Sequence, residues 1–110
     1  MKVDVERQGS DLILHLNGVL LAQNSDSVVA QLRAELRPSV RRCVLDATGL
    51  VQLDSSGVGA LVTCINLAKE AKVPLSIAGL NGRALQAIQI AKADRFMPLF
   101  PDIAAALAAP

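Results

Sequence analysis

The hydrophobic period changes repeatedly along this chain, and that change restricts the fold more than any other feature. Residues Val3 to Arg7 alternate apolar and charged side chains, and Leu12, Leu14 and Leu16 continue the alternation on one face. The spacing predicts two paired strands joined through Gly9-Ser10. After Gly18 the step becomes four residues, with Val28, Leu32 and Leu36 following the candidate caps Asn24 and Ser25 until Pro38 ends the pattern. A helix is expected there. Cys43-Val44-Leu45, bounded by Arg42 and Asp46, is too short for a helix and suits a buried strand. From Val58 the helical period returns through Leu61, Val62, Ile65 and Ala68. VPLSIA at Val73 to Ala78 predicts a further strand, and Leu85, Ile88 and Ala91 share a helical face behind Leu80-Asn81-Gly82. Met97 to Phe100 reads as a last short strand, and Asp102 as the cap of an alanine-rich helix ending at Ala109. Such alternation defines an α/β domain in which helices carry the chain between parallel strands.

The 110 residues, 52% of them hydrophobic, are enough for one core, so residues 1–110 are expected to form a single domain. A formal charge of +1, two Phe and no Trp or Tyr give neither a basic footprint for phosphates nor stacking platforms for bases. Direct nucleic-acid binding is therefore not expected. The charged opening MKVDVERQGSDL lacks the apolar region of a signal peptide, and no later run approaches a membrane span, which predicts a cytoplasmic protein without membrane insertion. Cys43 and Cys64 lack CxxC spacing and read as small buried apolar residues, with no metal or cofactor implied.

Polar chemistry concentrates in LDATGLVQLDSSGVGAL, Leu45 to Leu61, whose DSSG centre lies where a helix begins. Asp54 or Ser55 suits an N-cap, a purely structural role. A nucleophilic serine needs a base, but the single histidine, His15, lies in the alternating strand with Ile13 and Asn17 on its face and reads as a partly exposed strand residue. GVG at 57–59 is not a P-loop. Hydrolysis and phosphoryl transfer by the chain itself are thus weakly supported, and no enzyme is expected. Phosphate acceptance is physically easier: a phosphoserine at a helix N-terminus meets free N–H donors and the positive end of the helix dipole.

The run VLDATGLVQLDSSGVGALV resembles the central segment of STAS domains, most closely the bacterial anti-sigma factor antagonists, and the likeness extends through VPLSIAGL to the AKADRFMPLFPDIAAALAA tail. The resemblance implies a single STAS-like domain with a mixed sheet of four to five strands and about four helices packed on it. It implies that Ser55 is phosphorylated by an anti-sigma factor with serine kinase activity, which binds only the unmodified form and then releases its sigma factor, and that a phosphatase resets the switch. Asp54, Ser56, Gly57 and Gly59 become switch-site neighbours and partner-binding residues, with Gly57 sparing the partner's approach from side-chain bulk. Val58 and Leu61 read as core. One departure stands out: where many antagonists carry Gly-Glu-x-Asp, this chain has Gly18-Val19-Leu20-Leu21. Loss of both acids is compatible with slow modification, another kinase or none. The runner-up is a constitutive STAS docking subunit of a lipid-transport ATPase or signalling scaffold.

Overall fold

The computed structural model describes residues 1–109. Antiparallel strands β1 (Lys2–Gln8) and β2 (Asp11–Leu20) open the chain, followed by α1 (Ser25–Glu35), β3 (Arg42–Asp46), β4 (Leu50–Leu53), α2 (Ser55–Glu70), β5 (Leu75–Ala78), α3 (Gly82–Ile90), a 3₁₀ turn (Ala93–Arg95), β6 (Leu99–Phe100) and α4 (Ile103–Ala108). The sheet runs β1-β2-β3-β5-β6, parallel from β2 onward, with β4 also paired to β2. The result is the expected mixed α/β sheet with four helices, but with six strands. The strand absent from the sequence reading is β4, whose two buried residues, Leu50 and Leu53, flank two exposed ones and so show neither alternation nor a continuous apolar run.

The sequence pattern changes after Gly18, but β2 continues past it to Leu20, with a register shift between Gly18 and Val19. Asp11 to His15 pair with β3, and Gly18 to Leu20 pair with β4, so one edge of β2 holds two successive strands. The intervening Ala47–Gly49 turn presses against β2: a Cβ on Gly49 would meet Asn17 Oδ1 at 2.1 Å and the Leu16 carbonyl oxygen at 3.3 Å, so a larger residue there would have to displace the Asn17 side chain.

Alternation assigns the two faces. Leu12, Leu14, Leu16 and Leu45 form the main core with Val28 and Leu32 of α1, Leu61 and Ile65 of α2, and Ile88 of α3. The reverse face holds a smaller cluster of Ile13, Val44, Ala78 and Ala106, closed by Phe100, Ile103 and Leu107. Here α4 is further tied by Arg42, whose guanidinium donates to the Leu107 carbonyl. Cys43 and Cys64 are fully buried in the main core, and burial pushes their thiols up to about 12 and about 11. Both are packing residues, as the sequence suggested.

Helix α2 ends in a Schellman-type turn: Lys72 N–H donates to Lys69 O and Val73 N–H to Ala68 O. Lys72 holds φ +59°, a left-handed conformation that costs a side-chain-bearing residue about 1–2 kcal/mol. Lys72→Gly is therefore expected to raise stability by about 0.5–1 kcal/mol, the gain being reduced by glycine's freedom in the unfolded chain, and urea unfolding measures it directly.

Candidate functional site

The DSSG segment sits at the junction of β4 and α2, and the structure separates the roles its residues could share. Asp54 is the N-cap: its Oδ1 accepts from Gly57 N–H at 2.9 Å. Its Oδ2 accepts from Ala22 N–H at 3.1 Å, so the same carboxylate fastens the loop after β2 to the start of α2. Asn24 braces that loop, accepting from Leu21 N–H and donating to the Val19 carbonyl. It does not cap α1 by its side chain.

With Asp54 occupied in this way, Ser55 has no capping duty. It is the first residue of α2 and is exposed. Ser55 lines a groove between α2 and α3 with Leu53, Val58, Ala87, Ile90 and Ala91, whereas Ser56 lines a groove between α1 and α2 with Asp26, Gly59 and Thr63. Adjacent hydroxyls therefore face different surroundings. No acidic residue occupies the first turn of α2, so the positive end of its dipole is offset only by the cap itself.

The two glycines also divide. Gly57, expected to spare the outer surface from bulk, faces inward; a Cβ there would meet the Leu20 carbonyl oxygen at 2.3 Å and Leu53 Cβ at 2.9 Å. Its size is set by β2 crossing beneath the helix. Gly59 is exposed, and a Cβ there would meet nothing within 4 Å. Leu61 is fully buried and Val58 packs partly buried against the core, as expected. Of the substituted family motif, Leu20 is fully buried, while Val19 and Leu21 are partly exposed.

His15 lies on the sheet face opposite α2, in register with Asp46 on β3, and cannot serve Ser55 as a base. It forms a cluster that the sequence reading missed. Its Nδ1 is 2.6 Å from Asp46 Oδ2 and its Nε2 is 2.7 Å from Glu6 Oε1. The Glu6 hydrogen bond raises the imidazole pKa most; burial opposes it, and the Asp46 hydrogen bond reinforces it. Hydrogen bonds from Gln8 and His15 hold Glu6 below the ordinary carboxylate value. Burial pushes Asp46 up, but bonds from Thr48 and His15 outweigh it and leave that carboxyl lowered. When protonated, the imidazolium donates from both nitrogens and joins β1, β2 and β3. The signal for this cluster was the i, i+2 alternation itself, which places Glu6, His15 and Asp46 on one face once strand order is known.

With its site described, the chain can be placed. The STAS domain family model matches residues 2–106, and the chain belongs to that family. Comparison with curated protein sequences returns no match. Among solved structures, an anti-sigma factor antagonist from Mycobacterium paratuberculosis superposes with a TM-score of 0.82 at 20% identity, over 96% of this chain and 90% of that one. The anti-sigma factor antagonist SpoIIAA in its unphosphorylated form gives 0.71 at 15% identity, over 94% and 91%. The anion transporter SLC26A9 gives 0.76 at 16% identity, over 89% of this chain but 19% of that one. These likenesses establish the shared fold. No described helix is long and apolar enough to cross a membrane.

Two measurements test this geometry. Asp54→Ala removes the cap and the tether to Ala22, and should lower stability by about 1–2 kcal/mol in urea unfolding. For the His15 cluster, a raised imidazole pKa contributes stability that is complete below the ordinary value of 6.5 and is lost as pH rises through the folded value. The lowered carboxylates contribute above their ordinary values of 4.5 and 3.8, and lose that contribution as pH falls. The urea midpoint should therefore drop between pH 6 and pH 9 in the native chain and drop less in His15→Gln.

Proposed function

We propose that the protein is an anti-sigma factor antagonist, a cytoplasmic regulator of transcription without catalytic activity, in which phosphorylation of Ser55 decides whether an anti-sigma factor with serine kinase activity can bind. The observation that carries this reading is the division of labour at α2: Asp54 makes the cap and the tether, leaving the Ser55 hydroxyl exposed at the helix start. Modification there costs no capping bond, so the fold survives it. A phosphate adds about −1.5 to −2 charge where the helix dipole tolerates it but an apolar partner surface does not. Partner binding then ends through electrostatics and desolvation, with no rearrangement of the core. Ser56 and Gly59 complete the surface offered to the partner, and a phosphatase returns the chain to its binding form.

A second reading, a constitutive docking subunit of a lipid-transport ATPase or a signalling scaffold, draws support from a different observation. The groove beside Ser55 is walled by apolar residues, including Ile90 at 82% exposure, and the end of β2 and the residue after it carry Val19 and Leu21 in place of acids. An apolar partner segment suits such a groove whether or not Ser55 is ever modified.

Phosphopeptide mapping of protein isolated from its own cells, with identification of whatever co-purifies, separates the readings. The antagonist reading expects phosphate on Ser55 and a serine-kinase partner, full binding by Ser55→Ala and at least tenfold weaker binding by Ser55→Asp. Equal binding by the two variants, with an unmodified Ser55 and a transport ATPase as partner, replaces it with the docking reading.

A further inference from the structure

The chain has only two Phe and no Trp or Tyr, and both phenylalanines line the same cavity, about 520 Å³ in volume, beside the β5 end of the sheet. Folding accounts for only part of this. Phe100 closes the small reverse-face cluster, but Phe96 is 77% exposed, a large apolar surface that the core leaves uncovered. Met97, itself buried, forms wall between them.

Charge on the cavity is one-sided. Lys69 from α2 and Arg95 from the 3₁₀ turn line it, and no Asp or Glu does. Neither cation takes part in an ion pair among the described residues. The wall also carries hydrogen-bonding capacity. Ser76 lines the cavity, and its hydroxyl bonds no other side chain or backbone group among the described residues. Backbone capacity remains too. Cys43 N–H bonds Pro74 O on the β3 side and Ile77 N–H bonds Pro98 O on the β6 side, which fixes the parity of β5. Leu75 therefore turns its N–H and C=O toward the β6 side, where pairing starts only at Ile77 with Leu99.

We propose that this cavity binds a small organic anion, a carboxylate carrying an acyl or aromatic body. The apolar body lies against Phe96, Phe100 and Met97, and the carboxylate is held by Lys69 and Arg95 with the open Leu75 edge in reach. A cavity of this volume, mostly apolar with a few convergent polar groups, has the size and composition of a small-molecule site. Lys69 stands fourteen residues after Ser55 on α2, about 21 Å along the helix axis, so this site is separate from the serine switch and does not depend on that reading.

The test is a titration of the whole chain, followed by ¹⁵N–¹H spectra, with decanoate, with 1-naphthoate and with uncharged decanol. Saturable shifts centred on Lys69, Leu75, Ser76 and Phe96 are expected with at least one anion; decanoate alone identifies an acyl ligand, naphthoate alone an aromatic one. The double variant Lys69→Gln/Arg95→Gln should bind the anion about tenfold more weakly while leaving decanol unaffected, as loss of charge-assisted contacts requires. Both side chains are exposed, and unchanged shifts away from the cavity verify that the variant is folded. Phe96→Ala should weaken both anion and decanol. Absence of saturable shifts with either anion, shifts centred elsewhere, or undiminished anion binding by the double variant overturns the proposal.

Discussion

The candidate switch depends on how closely β2 passes beneath the first turn of α2. The Leu20 carbonyl accepts from Asp54 N–H at 3.3 Å, and the same oxygen would lie 2.3 Å from a Cβ on residue 57. A backbone carbonyl this close needs both a donor to satisfy it and a glycine to admit it. Because Asp54 also binds Ala22 N–H, strand, loop and helix form one rigid unit. With Asp54 serving as both cap and tether, Ser55 stands exposed at the first position of the helix.

The unit also divides the molecule's polar chemistry by layer. Asp54 and the paired serines lie on the helix-rich side of the sheet, where backbone N–H groups and the dipole favour negative charge. The imidazolium of His15 lies on the reverse side, held between carboxylates from two strands. An exposed ion pair contributes little, but this one is partly shielded and satisfies both ring nitrogens, so it acts as a clamp across three strands. Neither cluster makes a hydrogen bond or ion pair with the other among the described residues.

Elements with a strong period were readable from the sequence: β1, the first part of β2, α1, α2 and α3 all follow the spacing of their leucines, valines and isoleucines. What escaped were features set by pairing. β4 has four residues and exists because the end of β2 offers it an edge; the extension of β2 past Gly18 depends on a register shift that hydrophobicity does not encode. The DSSG site was legible as a helix start, yet the choice between Asp54 and Ser55 as cap required the geometry of the Asp54 carboxylate against Gly57 N–H. Gly57 was assigned outward because its neighbour β2 is distant in sequence. Glu6 and Asp46 lie 9 and 31 residues from His15, so no local pattern announces their cluster.

The sheet is covered unevenly, by three helices on one face and by the six-residue α4 on the other. The reverse-face cluster is much smaller than the main core, with four buried residues and Phe100, Ile103 and Leu107 packed against them, so fewer apolar contacts resist its opening. Amide protection should consequently be graded through the thickness of the molecule, with α4 exchanging by a local detachment that leaves β3 and α2 intact. Such a detachment bares Ile13, Val44 and Ala78, the residues that α4 covers, and turns a quiet back surface into a transiently apolar one.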